Sequence, residues 1–148
     1  MWTRPRGGTA SGVRAICRTA LVLLVALSAA GCGTGDDRAA ARGATERFYA
    51  AVRDDDGTAA CEELSEDTVK ALEGESGQAC ADAVTGLEYA GGSVARVEVY
   101  VTNAKVDLDG GESAFLSPES GAWKLSAVGC RTEVGEPRDR PLECEVES

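Results

Sequence analysis

The sequence predicts an α+β domain, with helices first and an antiparallel sheet after them. Three observations carry that expectation. From Ala41 to Leu87 the apolar residues recur at helical spacing, and beyond Gly91-Gly92 they alternate with polar ones, as in half-buried strands. Four cysteines in that same region make an even set suited to two disulfides. Helices followed by a meander favour an α+β domain over a parallel α/β one, and the natural packing curls the sheet around the first long helix.

The chain opens differently. Arg4, Arg6, Arg14 and Arg18 form a basic flank without an acidic residue, and Thr19 to Ala30 is almost wholly apolar. About 12 apolar residues fall short of the about 20 that a spanning helix needs. A basic flank, a short apolar run and small residues after it predict a secretory signal over 1–31, cleaved from the mature protein.

Residues 32–37 form a short Gly/Asp tether, and 38–148 form one domain. Ala41, Ala44, Phe48, Ala51 and Val52 make the inward stripe of a helix starting at Arg38. Asp54-Asp55-Asp56-Gly57 ends it and caps a short helix over Thr58–Leu64. Ser65 caps a third helix with Val69 and Leu72 inward, and Gly74 reads as its stop. A polar loop over 75–79 leads to a fourth helix from Cys80 to about Leu87, with Ala83, Val84 and Leu87 inward.

Ala95, Val97, Val99 and Val101 then alternate as a strand, Thr102-Asn103 break it, and Ala104, Val106 and Leu108 resume it. Asp109-Gly110-Gly111 is a hairpin turn signal. Strands over Ser113–Leu116 and Ala122–Val128 follow, joined by residues 117–121, with Trp123, Leu125 and Ala127 on one face. A polar, Pro-containing loop follows Cys130, and Leu142–Val146 adds a short edge strand.

Composition narrows the function classes. Removing 31 of the 148 residues leaves 117, the size of one domain. All 25 acidic residues lie in that part against 11 basic ones, four of the 15 being in the leader, so its net charge is −14. Such a surface repels phosphate backbones, which argues against nucleic acid as a partner. High Ala, Gly, Arg and Asp usage with little Lys fits a GC-rich genome such as an actinobacterium's. Cys17 leaves with the signal, and Cys61, Cys80, Cys130 and Cys144 remain as structural cysteines. Three pairings of these are open; Cys61–Cys80 and Cys130–Cys144 are favoured because each closes a local loop between adjacent elements. Zinc is disfavoured, because the chain has no histidine and no C-x-x-C pair.

Two resemblances add to this reading. Leu27-Ser28-Ala29-Ala30-Gly31-Cys32 resembles the lipobox of bacterial lipoproteins, with Ala29 where that motif most often has Leu. The resemblance implies that Cys32 becomes the first residue and carries two or three acyl chains (palmitate among them). It places the protein on the extracytoplasmic face of the cell membrane, held by lipid, since two or more chains anchor durably. Second, Glu46-Arg47-Phe48-Tyr49-Ala50-Ala51-Val52, Asp56 to Cys61, Val94 to Leu108, Gly121 to Leu125, Gly129-Cys130 and Cys144 to Glu147 resemble small actinobacterial lipoproteins of NTF2-like (cystatin-like superfamily) fold. This implies a cone whose sheet and helices enclose a pocket, with Phe48, Tyr49, Tyr100 and Trp123 as candidate lining. It implies no particular activity, because that fold hosts enzymes, carriers and interaction domains.

The residues offer no catalytic set. Without histidine the commonest general base near neutral pH is missing, and no nucleophile–base pair is visible. Asp54 to Gly57 and Asp107 to Gly110 fail the spacing of a calcium loop, and a helix cap and a hairpin turn explain them. No metal or cofactor is expected. The expected function is a non-catalytic module at the envelope, held to the membrane through Cys32 and binding an envelope protein or a small apolar ligand. The alternative is a small pocket enzyme of the isomerase or cyclase type, working without a histidine base.

Overall fold

The structure is a computed structural model that describes residues 34–131 and 143–148. The signal expected over 1–31, Cys32, the loop after Arg131 and Leu142 lie outside the described residues, and the edge strand expected over Leu142–Val146 is observed over Val146–Glu147. Helix α1 spans Thr34–Arg53. It takes in residues 34–37, which corrects the tether expected there. Asp36 and Asp37 in its first turn and Arg53 in its last complement the helix dipole, so the helix starts before the apolar stripe does. Ala41, Ala44, Thr45, Phe48 and Tyr49 form its buried stripe. Thr45 is satisfied inside that stripe, its Oγ1 donating to the Ala41 carbonyl (2.9 Å).

Helix α2 spans Gly57–Glu63, capped by the Asp56 carboxylate, which accepts from the Ala59 N–H (3.0 Å). Helix α3 spans Glu66–Ser76 and α4 spans Cys80–Thr85. Ser65 caps α3 by accepting from the Thr68 N–H (3.2 Å), and the Thr68 hydroxyl reaches on to the Ser126 carbonyl (3.1 Å), tying α3 to the sheet. The stop expected at Gly74 falls instead at Gly77, which takes the left-handed conformation (φ 68°) and donates to the Glu73 carbonyl. Helix α4 has no side-chain N-cap. The Glu73 carboxylate supplies the acceptor for the Cys80 N–H (3.0 Å). Gly57 lets α2 and α4 approach, since a Cβ there would run into the Ala81 backbone. The Cys61–Cys80 disulfide joins the same two helices, with Cα atoms 6.2 Å apart.

Five antiparallel strands follow as a meander: β1 Val94–Val99, β2 Ala104–Leu108, β3 Ser113–Glu119, β4 Ala122–Cys130 and β5 Val146–Glu147, in that spatial order. The four helices pack on this open sheet. Ala104, Val106 and Leu108 of β2 and Ala114 and Leu116 of β3 alternate inward with period two and meet Phe48, Leu72 and Val84 of the helices. Strand β3 runs on to Glu119, three residues past the expected end, because Ser120-Gly121 alone turn the chain and Glu119 faces Ala122. Pro118 is tolerated because the ladder with β2 ends at Leu116.

Strand β1 corrects the expectation for Val101. Its ladder with β2 closes at Val99 and Ala104, and the Tyr100 N–H donates to the Asn103 carbonyl (2.8 Å), so Val101 sits in the turn. The Cys130–Cys144 disulfide ties the end of β4 to the segment leading into β5. Beside it Arg131 and Glu143 exchange backbone hydrogen bonds of 2.8 and 3.0 Å.

Candidate functional site

A cleft of about 500 Å³ opens where the C-terminal half of α1 faces the start of β1 and the β2–β3 hairpin. Helical spacing builds one wall. Arg42, Glu46, Tyr49 and Arg53 recur at three- and four-residue steps and so share one side of α1. The other wall is Ser93, Val94, Leu108 and Asp109. Arg42 crosses between them, its Nη1 donating to the Val94 carbonyl (3.1 Å) and pairing with Glu46 (3.5 Å). Asp109 is engaged by its own wall, accepting from the Ser93 N–H (2.8 Å) and donating its N–H to the Ser93 carbonyl (3.0 Å). Arg53 makes no ion pair among the described residues. Two arginines therefore converge on one opening of a strongly acidic chain.

A buried polar network underlies this wall. Glu112 is 1% exposed. Its carboxylate accepts from the Ala90 N–H (2.5 Å), the Gly91 N–H (3.0 Å) and Arg131 Nε (2.9 Å). Arg131 Nη2 lies 2.8 Å from the same carboxylate, donates to the Glu88 carbonyl (2.6 Å) and reaches Glu145 at 3.4 Å. One carboxylate thus stitches the α4–β1 connection, the β2–β3 hairpin and the end of β4 together. It fixes the backbone from Ala90 to Gly91, from which the cleft wall continues through Gly92 to Val94. Charge-assisted hydrogen bonds of this kind satisfy a group that would otherwise be costly to bury.

Tyr49 stands between cleft and network. Its hydroxyl accepts from the Gly129 N–H (3.4 Å). Burial pushes its pKa well above the ordinary tyrosine range, and the nearby Glu112 charge adds to the rise. Burial does the same to Tyr89, whose buried hydroxyl has no hydrogen-bond partner among the described residues. Phe48, Tyr49 and Tyr89 pack edge to face with centroids 5.2, 5.6 and 6.0 Å apart.

The four aromatic residues expected to line one pocket are not brought together. Tyr49 borders the cleft, whereas Phe48 is wholly buried in the core. Trp123 lies near the start of α1, its indole N–H donating to Asp37 (3.2 Å). Tyr100 is exposed in the β1–β2 turn, a correction that follows from the early end of the β1 ladder. The described residues hold no cluster of three or more metal-ligating side chains. Sequence reasoning missed Arg42, Arg53, Glu112 and Arg131. A signal for Glu112 was present, because the inward period of Ala114 and Leu116 extends back to residue 112. No signal marked Arg131 as its partner. No family model, curated protein or solved structure matches the chain.

Proposed function

We propose that this chain is a lipid-anchored extracytoplasmic interaction domain, held through Cys32, that receives a polar segment of an envelope protein in the cleft beside α1. The observation that carries the reading is the pairing of a filled interior with a charged opening. Phe48, Leu116 and Leu125, where helices and sheet meet, are each 0% exposed and fill the interior at that point. The cleft instead presents Arg42, Glu46, Arg53 and Asp109, and an apolar molecule there would strip water from charges without replacing it. Two disulfides support an oxidising compartment. Among the described residues no helix is long and apolar enough to cross a membrane. The NTF2-like cone is part of the same reading, supported by helices laid on an antiparallel sheet.

The cleft geometry favours binding over catalysis. Its carboxylates are engaged by Arg42 and by the Ser93 backbone, and the raised pKa of Tyr49 makes its hydroxyl a poor proton donor near neutral pH. The test is site-directed photocrosslinking in intact membranes. A photoreactive residue at Glu46, in the cleft, should give a discrete crosslinked species that the same residue at Lys70, exposed on α3, does not. Identical crosslinks at both positions, or none at Glu46, would contradict the assignment.

A further inference from the structure

Strand register places both hairpin tips and the start of α1 at one end of the domain. Val99 pairs with Ala104, Ala104 with Leu116 and Leu116 with Leu125. The Tyr100–Asn103 turn lies just past that row, and the Ser120-Gly121 turn closes the neighbouring hairpin at the same end, three pairs farther on. Trp123, between Leu125 and the second turn, is hydrogen-bonded to Asp37 in the first turn of α1. The helix then runs away from this end, since Arg53 in its last turn lies by Ser93 and Asp109 at the far end of the sheet. The chain therefore enters the domain beside the two tips.

That end carries Tyr100, 55% exposed, and Val101, 99% exposed, the exposed large hydrophobic residues of the described chain. With Thr102 and Asn103 they make a four-residue tip without charge, in a sequence where 27% of residues are charged. A valine fully in water at a hairpin tip has no packing role within the domain.

We infer that this tip docks on the lipid surface, with Val101 entering the interface and Tyr100 at headgroup level. The inference rests on the lipid anchor at Cys32 proposed above. Cys32 precedes Thr34 by two residues, which span at most about 7 Å. An anchor there confines the tip end of the domain to the membrane. Tyrosine suits the interface, having an apolar ring and a polar hydroxyl. The domain's net negative charge opposes a side-on approach to anionic lipid, whereas the four residues of the Tyr100–Asn103 tip carry no charge, the acidic residue nearest the other turn being Glu119 of the neighbouring hairpin. The charges closest in sequence to the anchor are Asp36, Asp37 and Arg38, of which Asp37 is engaged by Trp123.

The experiment uses the lipidated protein in phosphatidylcholine vesicles containing a spin-labelled quencher lipid. An environment-sensitive fluorophore is placed by Val101→Cys or, as a control at the far end, by Thr58→Cys. Flotation with the vesicles is read first. The label at 101 should then lose most of its emission to the quencher lipid, while that at 58 keeps its own. If the protein does not float, the anchor reading fails and this inference falls with it. If it floats but the label at 101 is unquenched, or both labels are quenched alike, the tip inference alone is overturned. Energy transfer between labels at 101 without lipid quenching would also overturn it, in favour of a second copy of the chain.

Discussion

Glu112 illustrates how much one side chain can organise. Its carboxylate takes two backbone N–H groups and Arg131, so truncation strands donors on both sides. Arg131 is half-exposed and can turn to water, so the cost falls on the two backbone N–H groups left without an acceptor, about 3 kcal/mol together. Glu112→Ala should lower urea-unfolding stability by about that amount, and adding Arg131→Ala should cost less than the sum of the two single changes. A loss under about 1 kcal/mol would mean that the network does not hold the α4–β1 connection. The tyrosines add a pH dependence. The pKa values of Tyr49 and Tyr89 are raised by burial, so both are protonated more firmly in the folded than in the unfolded chain. Their contribution is complete below the unfolded value of about 10 and is lost as pH rises through the folded value. In a Tyr100→Phe background, which removes the exposed phenol, absorbance of the phenolate should therefore appear together with loss of tertiary circular dichroism above about pH 10, and adding Tyr89→Phe should delay both.

The helices show what repeating patterns reveal and what they hide. The stripe from Ala41 to Val52 and the alternation from Ala104 to Leu108 were legible, because burial of one face imposes its period directly. Helix ends were less so. Gly74 reads as a stop by composition, yet α3 continues to Ser76 because Gly77 is the position that takes the left-handed turn. Val101 continues the apolar alternation in sequence, but pairing stops two residues earlier, which only the register with β2 decides. The cleft was illegible for a similar reason. Its arginines share a helix face that reads as solvated, and the opposite wall comes from residues about forty or more positions away. Two of the helical glycines give a paired prediction. At Gly57 a Cβ meets the Ala81 backbone, whereas at Gly74 it meets nothing within 4 Å. Gly57→Ala should destabilise by about 2 kcal/mol through overpacking, and Gly74→Ala should stabilise by about 0.5 kcal/mol. Thermal melts of the two variants should move in opposite directions.

For the whole molecule, the local disulfides offset a modest core. They close loops with sequence separations of 19 and 14, and chain entropy alone gives roughly 3 kcal/mol for each. Replacing Cys61 and Cys80 by Ser should lower stability by about that amount, while an unchanged denaturation midpoint would show the bridge to be dispensable. The roles proposed for the cleft and the exposed tip both depend on the attachment proposed at Cys32. That attachment is tested most directly by mass spectrometry of the N-terminal peptide from protein purified out of membranes. The expected peptide begins at Cys32, lacks residues 1–31 and carries a diacylglyceryl group on the Cys32 sulfur. A peptide with a free Cys32 thiol, or a mature start at another residue, would contradict the lipid-anchored reading.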